Sequence, residues 1–239
     1  MNEGKSPIAM VATIAGVMFA IGCTDDVDQA WELDHDRIIA VRATPPRIIT
    51  GERSEIDLLL GRTGRQVPIE ISPEAATVVS PMALAGALSG ENGEWIVTAP
   101  TNDELAMART ELALPADAPV PVQVGVSSNA GELLGLKMVW IGEQRQNPSL
   151  DTVTMNAADI TGATELSVGI EVDVRFEVPF DDENFDINWL TSCGTMHDYD
   201  LPSAYLRVEK DDMMAGTFAL VVRDAFGGVA WRLWQITAN

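Results

Sequence analysis

The sequence predicts an all-β chain: two β-sandwich modules in tandem, preceded by an apolar leader and an acidic tether. Three observations predict it. In "GIEVDVRFEVPF" (169–180), Ile170, Val172, Val174, Phe176 and Val178 alternate with Glu171, Asp173, Arg175 and Glu177, which gives a strand one apolar and one wet face. Elsewhere, short apolar runs are bounded by Pro, Gly, Asn and Ser at the spacing of a sandwich. The two halves also repeat faintly. "VGVSSNAGELLGLKMVWI" (124–141) and "LVVRDAFGGVAWRLWQI" (220–236) both read strand, polar-Gly turn, strand, with Lys137 matching Arg232 and Ile141 matching Ile236.

The leader comes first. Lys5 is the only basic residue before an apolar run, Ile8 to Gly22, that Thr13 alone interrupts. This is the length of a signal-peptide core and short of the about 20 residues that span a bilayer as a helix. The run ends in Ala20-Ile21-Gly22-Cys23, which resembles the bacterial lipoprotein lipobox. That resemblance implies cleavage after residue 22, a diacylglycerol on the Cys23 thiol and a stable membrane anchor, because two or more acyl chains hold a protein firmly. Ala20 stands where Leu is commonest. An ordinary secretory signal or an uncleaved anchor would share the apolar run and leave Cys23 incidental. Thr24 after the Cys, in place of the Asp that retains many Gram-negative lipoproteins at the inner membrane, points to the cell envelope's outer membrane. Residues 23–36, with Asp25, Asp26, Asp28, Asp34 and Asp36, read as a self-repelling tether that reaches roughly 45 Å at most.

The first module is expected over 37–147. Ile38 to Val41 is a short strand stopped by Thr44-Pro45-Pro46, and "SEIDLLLG", "EWIVTAP", "PVQVGVS" and "LGLKMVWIG" are further strands. "SPMALAGALSGENG" (80–93) reads as a helical turn or an irregular crossing. The polar segment 142–151, "GEQRQNPSLD", is the expected junction, and the second module follows over 148–239. Its strands include "FDINWLTSC", "SAYLRVEK", "GTFALVVRD" and "GVAWRLWQI". Two copies of about 100 residues fit immunoglobulin-like sandwiches. The second resembles bacterial immunoglobulin-like domains, with Trp189 in "DINWLTSCG" at the place of their third-strand core Trp and "VVRDAFGGVAW" as their last hairpin. The paired cysteines of antibody domains are absent, as is the Trp-Asp-Phe-Gly-Asp motif of polycystic-kidney-disease-type domains. Such an architecture hosts many functions.

Composition narrows those functions. The net charge is −21 among 239 residues, and removal of residues 1–22 leaves it unchanged because Glu3 and Lys5 cancel. Phosphate backbones would be repelled, so no nucleic-acid partner is expected. Anionic lipid would repel the surface as well. With Cys23 acylated, Cys193 has no intramolecular partner, and stability rests on apolar burial without a disulfide.

The residues able to carry chemistry are few. "SCGTMHDYD" brings Ser192, Cys193, His197, Asp198 and Asp200 close in sequence, the ingredients of a thiol nucleophile or a metal site. Strand parity opposes this, since Ile187, Trp189, Thr191 and Cys193 alternate together and place the thiol in the core. The acidic loops at Asp181 to Asp186 and at Glu209 to Asp212 offer carboxylates to calcium without the ordered spacing of an EF-hand. Arg223-Asp224 with Gly227-Gly228 forms a hairpin turn. Trp231 and Trp234 lie three apart in one strand, so one faces in and the other out, where it stacks on a sugar, anchors a partner or packs on the other module. No cofactor and no metal are expected. The expected function is that of a binding or structural and assembly module without turnover, in a lipid-anchored protein whose partner is a protein or glycan of the cell envelope. The candidate contacts are Asp181, Asp182, His197, Asp198 and the outward one of Trp231 and Trp234. The alternatives are a carbohydrate-binding accessory module, with exposed aromatics around Trp231, Trp234 or Tyr199, and a hydrolase or metal-dependent enzyme using Cys193 and His197.

Overall fold

The computed structural model describes residues 29–181 and 183–239. The expected leader, the expected lipidation residue Cys23, the start of the expected tether and Asp182 lie outside them. The first half contributes β1 (Arg37–Thr44), β2 (Arg47–Ile48), β3 (Arg53–Arg62), β4 (Gln66–Ile71), β5 (Ala75–Ser80), β6 (Leu88–Glu91), β7 (Glu94–Thr98), helix α1 (Asn102–Glu111), β8 (Val120–Ser128) and β9 (Leu133–Ile141). The second contributes β10 (Thr154–Met155), β11 (Ala158–Asp159), β12 (Glu165–Val168), β13 (Val174–Glu177), β14 (Phe185–Thr191), β15 (Thr195–His197), β16 (Ser203–Arg207), β17 (Ala215–Asp224) and β18 (Val229–Ala238).

The strands form four sheets wired as two equal pairs. The first half has β1-β3-β7-β6, with β4 also on β3, and β2-β9-β8-β5. The second has β11-β10-β13-β16-β15 and β12-β18-β17-β14. A short strand runs parallel to the last strand in each half, β2 on β9 and β12 on β18. Each terminal hairpin then pairs antiparallel with one earlier strand, β5 or β14. This is the strand order of the immunoglobulin sandwich, and the chain holds two of them. The sequence repeat is a repeat in register: Val124 faces Lys137 across β8 and β9 as Leu220 faces Arg232 across β17 and β18.

Alternation explains the cores. Val120, Val122, Val124 and Val126 of β8 point inward onto Ile56 and Leu58 of β3. In the second sandwich an aromatic cluster fills the gap between sheets. Phe218 lies 4.2 Å from Phe176 and 5.7 Å from both Trp189 and Trp234, centroid to centroid. Trp189 sits on β14, the third-strand position, and its indole N–H donates to Leu201 O at 2.9 Å. Such a buried ring needs that polar partner.

Three sequence expectations change. The strand expected across 170–178 is regular only over Val174–Glu177. Glu171 has φ 58°, outside the strand region, and Val172 is turned out to solvent. The segment 102–111, read as no element, is α1. Its first turn is closed by a capping box in which Thr101 Oγ1 accepts from Glu104 N and the Glu104 carboxylate accepts from Thr101 N. The expected tether is packed in its last part: Thr191 N donates to Trp31 O, Leu33 N donates to Thr191 O, and Leu33 is buried. Residues 82–87 form a 3-10 helix, one of the two forms expected there.

A third cluster joins the sandwiches. The outer face of the β17–β18 sheet presents Leu190, Ala219, Val221 and Val229, with Trp231 and Leu233, to Ala40, Leu59 and Ile39 on the outer face of the β1–β3 sheet. Leu33 seals one side. The segment 142–151 is part of this joint. Asn147 donates to Ala43 O at 3.0 Å and accepts from Val229 N at 2.9 Å, so one side chain ties both sandwiches.

Candidate binding face

Cys193 lies in the core, as strand parity predicts, and the alternative pairing with His197 in "SCGTMHDYD" is not assembled. Cys193 is fully buried beside Trp189, its thiol donates to Met213 O at 2.7 Å, and burial raises its pKa, aided by Asp212. His197 is exposed at the end of β15, in a shallow depression with Asp173, Tyr205 and Arg207. One group faces the core and the other faces water, because Cys193 lies just past the end of a strand that buries Ile187 and Trp189. Asp198 follows in the left-handed region, φ 54°, as a turn residue. Asp181 is occupied by its own loop, accepting from Asn184 N and Nδ2 at 2.8 and 2.7 Å. Among the described residues, no group of three or more His, Cys, Asp and Glu is placed to hold a metal.

The tryptophans do face opposite ways, and neither is open to a ligand. Trp234 is a core residue at 1% exposure. Trp231 is the outward one, and the first sandwich covers it: the Arg42 guanidinium lies 3.8 Å over its ring, and its N–H donates to Glu70 at 3.2 Å. Tyr199 packs partly against the second core. Of the three aromatics named for the carbohydrate-binding alternative, Trp234 is buried and Trp231 and Tyr199 are half-buried against protein. The hairpin turn is as expected, with Asp224 Oδ1 accepting from Phe226 N and Gly228 N at 2.8 and 2.7 Å. It serves the joint between sandwiches. Arg47 donates to Phe226 O, Arg145 lies 3.4 Å over the Phe226 ring, and Lys137 donates to Gly227 O.

The surface that remains open is one that the sequence reading did not single out, the outer face of the β8–β9 sheet. Registry builds it in rows: Ala75, Ser127 and Leu134; then Thr77, Gly125 and Leu136; then Gln123 and Met138. None carries a charge, in a chain of net charge −21. Leu134 is 77% exposed and Leu136 61%. Gly125 leaves a groove between them and β5, about 650 Å³ in volume. A methyl at Gly125 would stand 3.1 Å from Val79 and 3.9 Å from Leu136, so the glycine is what keeps the groove open.

The pattern was present in the sequence. β9 reads Leu-Leu-Gly-Leu-Lys-Met-Val-Trp-Ile, which is apolar at both parities. Its only charge, Lys137, points inward and is buried, and burial lowers its pKa to about 8 against the pull of Asp224 and Asp57. An outer face carrying Leu134, Leu136 and Met138 is unusual for a strand that has water on that side.

No family model matches the chain, and no curated protein matches it. Among solved structures it is similar to tandem Ig repeats of Dlar, at 10% identity and a TM-score of 0.29, over 86% of this chain and 98% of that one. It is similar to fibronectin(III)-like modules of CbhA from Clostridium thermocellum, at 8% identity and a TM-score of 0.28, over 85% and 94%. A nucleoside hydrolase-related protein from Saccharophagus degradans aligns at 14% identity and a TM-score of 0.29, over 37% of this chain and only 25% of its own. At such scores the fold assignment stands on the strand order alone.

Chemically, the open face can exclude water from an apolar partner surface and little else. Its polar side chains in these rows are Thr77, Gln123 and Ser127, none of them charged. Burying side chains of this kind contributes about 25 cal/mol per Å² removed from water.

Proposed function

We propose that this chain is a lipid-anchored protein of the bacterial cell envelope, held in the outer membrane, that acts by binding a protein partner and turns over no substrate. The open, uncharged face of the β8–β9 sheet carries the reading. Immunoglobulin-like sandwiches suit a binding role, and this face places two exposed leucines beside a groove on a rigid sheet. The equivalent face of the second sandwich already holds another β-sheet against it, so the same register can support a protein interface. The lipobox at Ala20 to Cys23 supports the anchor, and Thr24 supports the outer membrane.

Two measurements test the reading. Intact-mass analysis of the mature protein from membranes should find acyl chains on Cys23, and Cys23→Ser should accumulate as uncleaved precursor. A free Cys23 thiol in mature membrane protein removes the anchor. A photo-crosslinking residue in place of Ser127, on the middle strand of the face beside Leu134, should give protein adducts in native membranes. The same residue in place of Ser203, on the outer face of β16, should give few. Equal yields from the two positions would remove the binding face.

A further inference from the structure

We infer that the occupant of the open β8–β9 face is the same face of a second copy of this chain, paired about a two-fold axis. This rests on the reading of that face as a binding surface, and it names the partner. The starting point is the joint within the chain. Registry makes Val221 the equivalent of Gly125, Trp231 of Leu136, Leu233 of Met138 and Val229 of Leu134. In the second sandwich all four positions lie in the apolar cluster that meets the first sandwich. In the first sandwich the same positions are apolar or small: Met138 lies beside Gly227 of the second hairpin, whereas Leu134 and Leu136 stay exposed among the described residues.

What a second copy can offer is limited. The outer faces of the β1–β3 and β17–β18 sheets cover each other. The remaining outer face, on the β13–β16 sheet, is charged: Arg175, Glu177 and Arg207 with Asp173 form ion pairs across it, and His197 is exposed beside Tyr205. Seating apolar leucines there would strip water from those charges without repaying them. Among the four outer sheet faces, the neutral one is therefore matched best by itself. Two chains of net charge −21 repel, and a contact free of carboxylates is where they approach at least cost. Shape agrees, since the face carries both a ridge, Leu134 and Leu136, and a groove floored by Gly125. A two-fold operation sets the ridge of each copy toward the groove of the other, as an isologous interface requires.

The test uses the full-length protein in its native membrane, with single cysteines and mild oxidation. Leu136→Cys and Ser127→Cys should form disulfide-linked species of twice the chain's mass, at least tenfold more than Tyr205→Cys on the charged face. The unsubstituted chain supplies the background from its native cysteines. Adding Leu134→Lys to Ser127→Cys should reduce the dimer at least tenfold, while the melting temperature of the dilute, monomeric protein stays unchanged because Leu134 is exposed in the single chain. Equal dimer from Tyr205→Cys and Leu136→Cys overturns the inference. The photo-crosslinking residue at Ser127 separates the two claims. Adducts with a different protein and none at dimer mass refute self-pairing and keep the binding face, whereas no adduct of any mass refutes both.

Discussion

At the residue scale, two buried polar groups report on the two halves of the fold. Cys193 behaves as a small apolar side chain that also donates to Met213 O. Cys193→Ala should cost about 1 kcal/mol or more through a small cavity beside Trp189. Cys193→Asp should be far worse, since it buries a carboxylate near Asp212 while Arg65, the nearby cation, is already held by Ser192 O and Glu32. Chemical denaturation checks both, and rapid alkylation of Cys193 in the folded protein would contradict them. Lys137 reports on the joint. Its ordinary pKa of 10.5 falls to about 8, first because of burial, with Arg223 adding and Asp224 and Asp57 opposing. Below pH 8 the amine is charged in both states, and the cost of burying it is carried in full. Between pH 8 and 10.5 the folded state loses the proton before the unfolded state does, so this residue's share of stability rises with pH. The gain is on the order of 3 kcal/mol. Lys137→Met should flatten that rise in urea denaturation at pH 7.5 and pH 10. Parallel pH curves for the two proteins would show that Lys137 stays hydrated.

At the element scale, α1 is the clearest product of local signals. The capping box at its start satisfies two otherwise free backbone donors. Thr101→Ala should cost about 1 kcal/mol, measured by thermal or chemical denaturation, and Thr101→Ser should retain most of the stability. The Thr101-Asn-Asp-Glu104 signature was available in the sequence, but the helix is weakly amphipathic and buries only Leu105 and Ala108, so periodicity did not announce it. The strands were legible because alternation and turn residues agree along most of the chain. The second module's last hairpin, its core Trp189 and the inward parity of Cys193 all follow from local pattern. The strand break at Glu171 was not legible, because the positive φ there depends on the parallel bridge of Ile170 to Val208, a contact far along the chain. The binding candidates fared differently for the same reason. Parity placed Trp231 and Trp234 on opposite faces, but only tertiary packing decides that the outward face meets Arg42 and Glu70. The open face of β9 could have been suspected from its apolar residues at both parities. That it stays bare depends on where the second sandwich docks.

At the scale of the whole molecule, each sandwich has two outer faces, and the joint uses one from each. Immunoglobulin topology is repeated in register, so the faces can be compared position by position. The second copy's β17–β18 face is closed by the first copy, and the first copy's β8–β9 face is left open with leucines in the same places. This asymmetry gives two similar modules, in a chain of net charge −21, a neutral, apolar surface among the described residues. The most direct test compares alkylation of Leu136→Cys and Val221→Cys in dilute, monomeric protein. Both residues lie in the same cross-strand row of their hairpins, one on the open face and one on the closed. Leu136→Cys should react at nearly the rate of a free thiol, and Val221→Cys at least a hundredfold more slowly. Equal rates, whether both fast or both slow, would contradict it, by showing that the sandwiches do not dock or that the first face is not open.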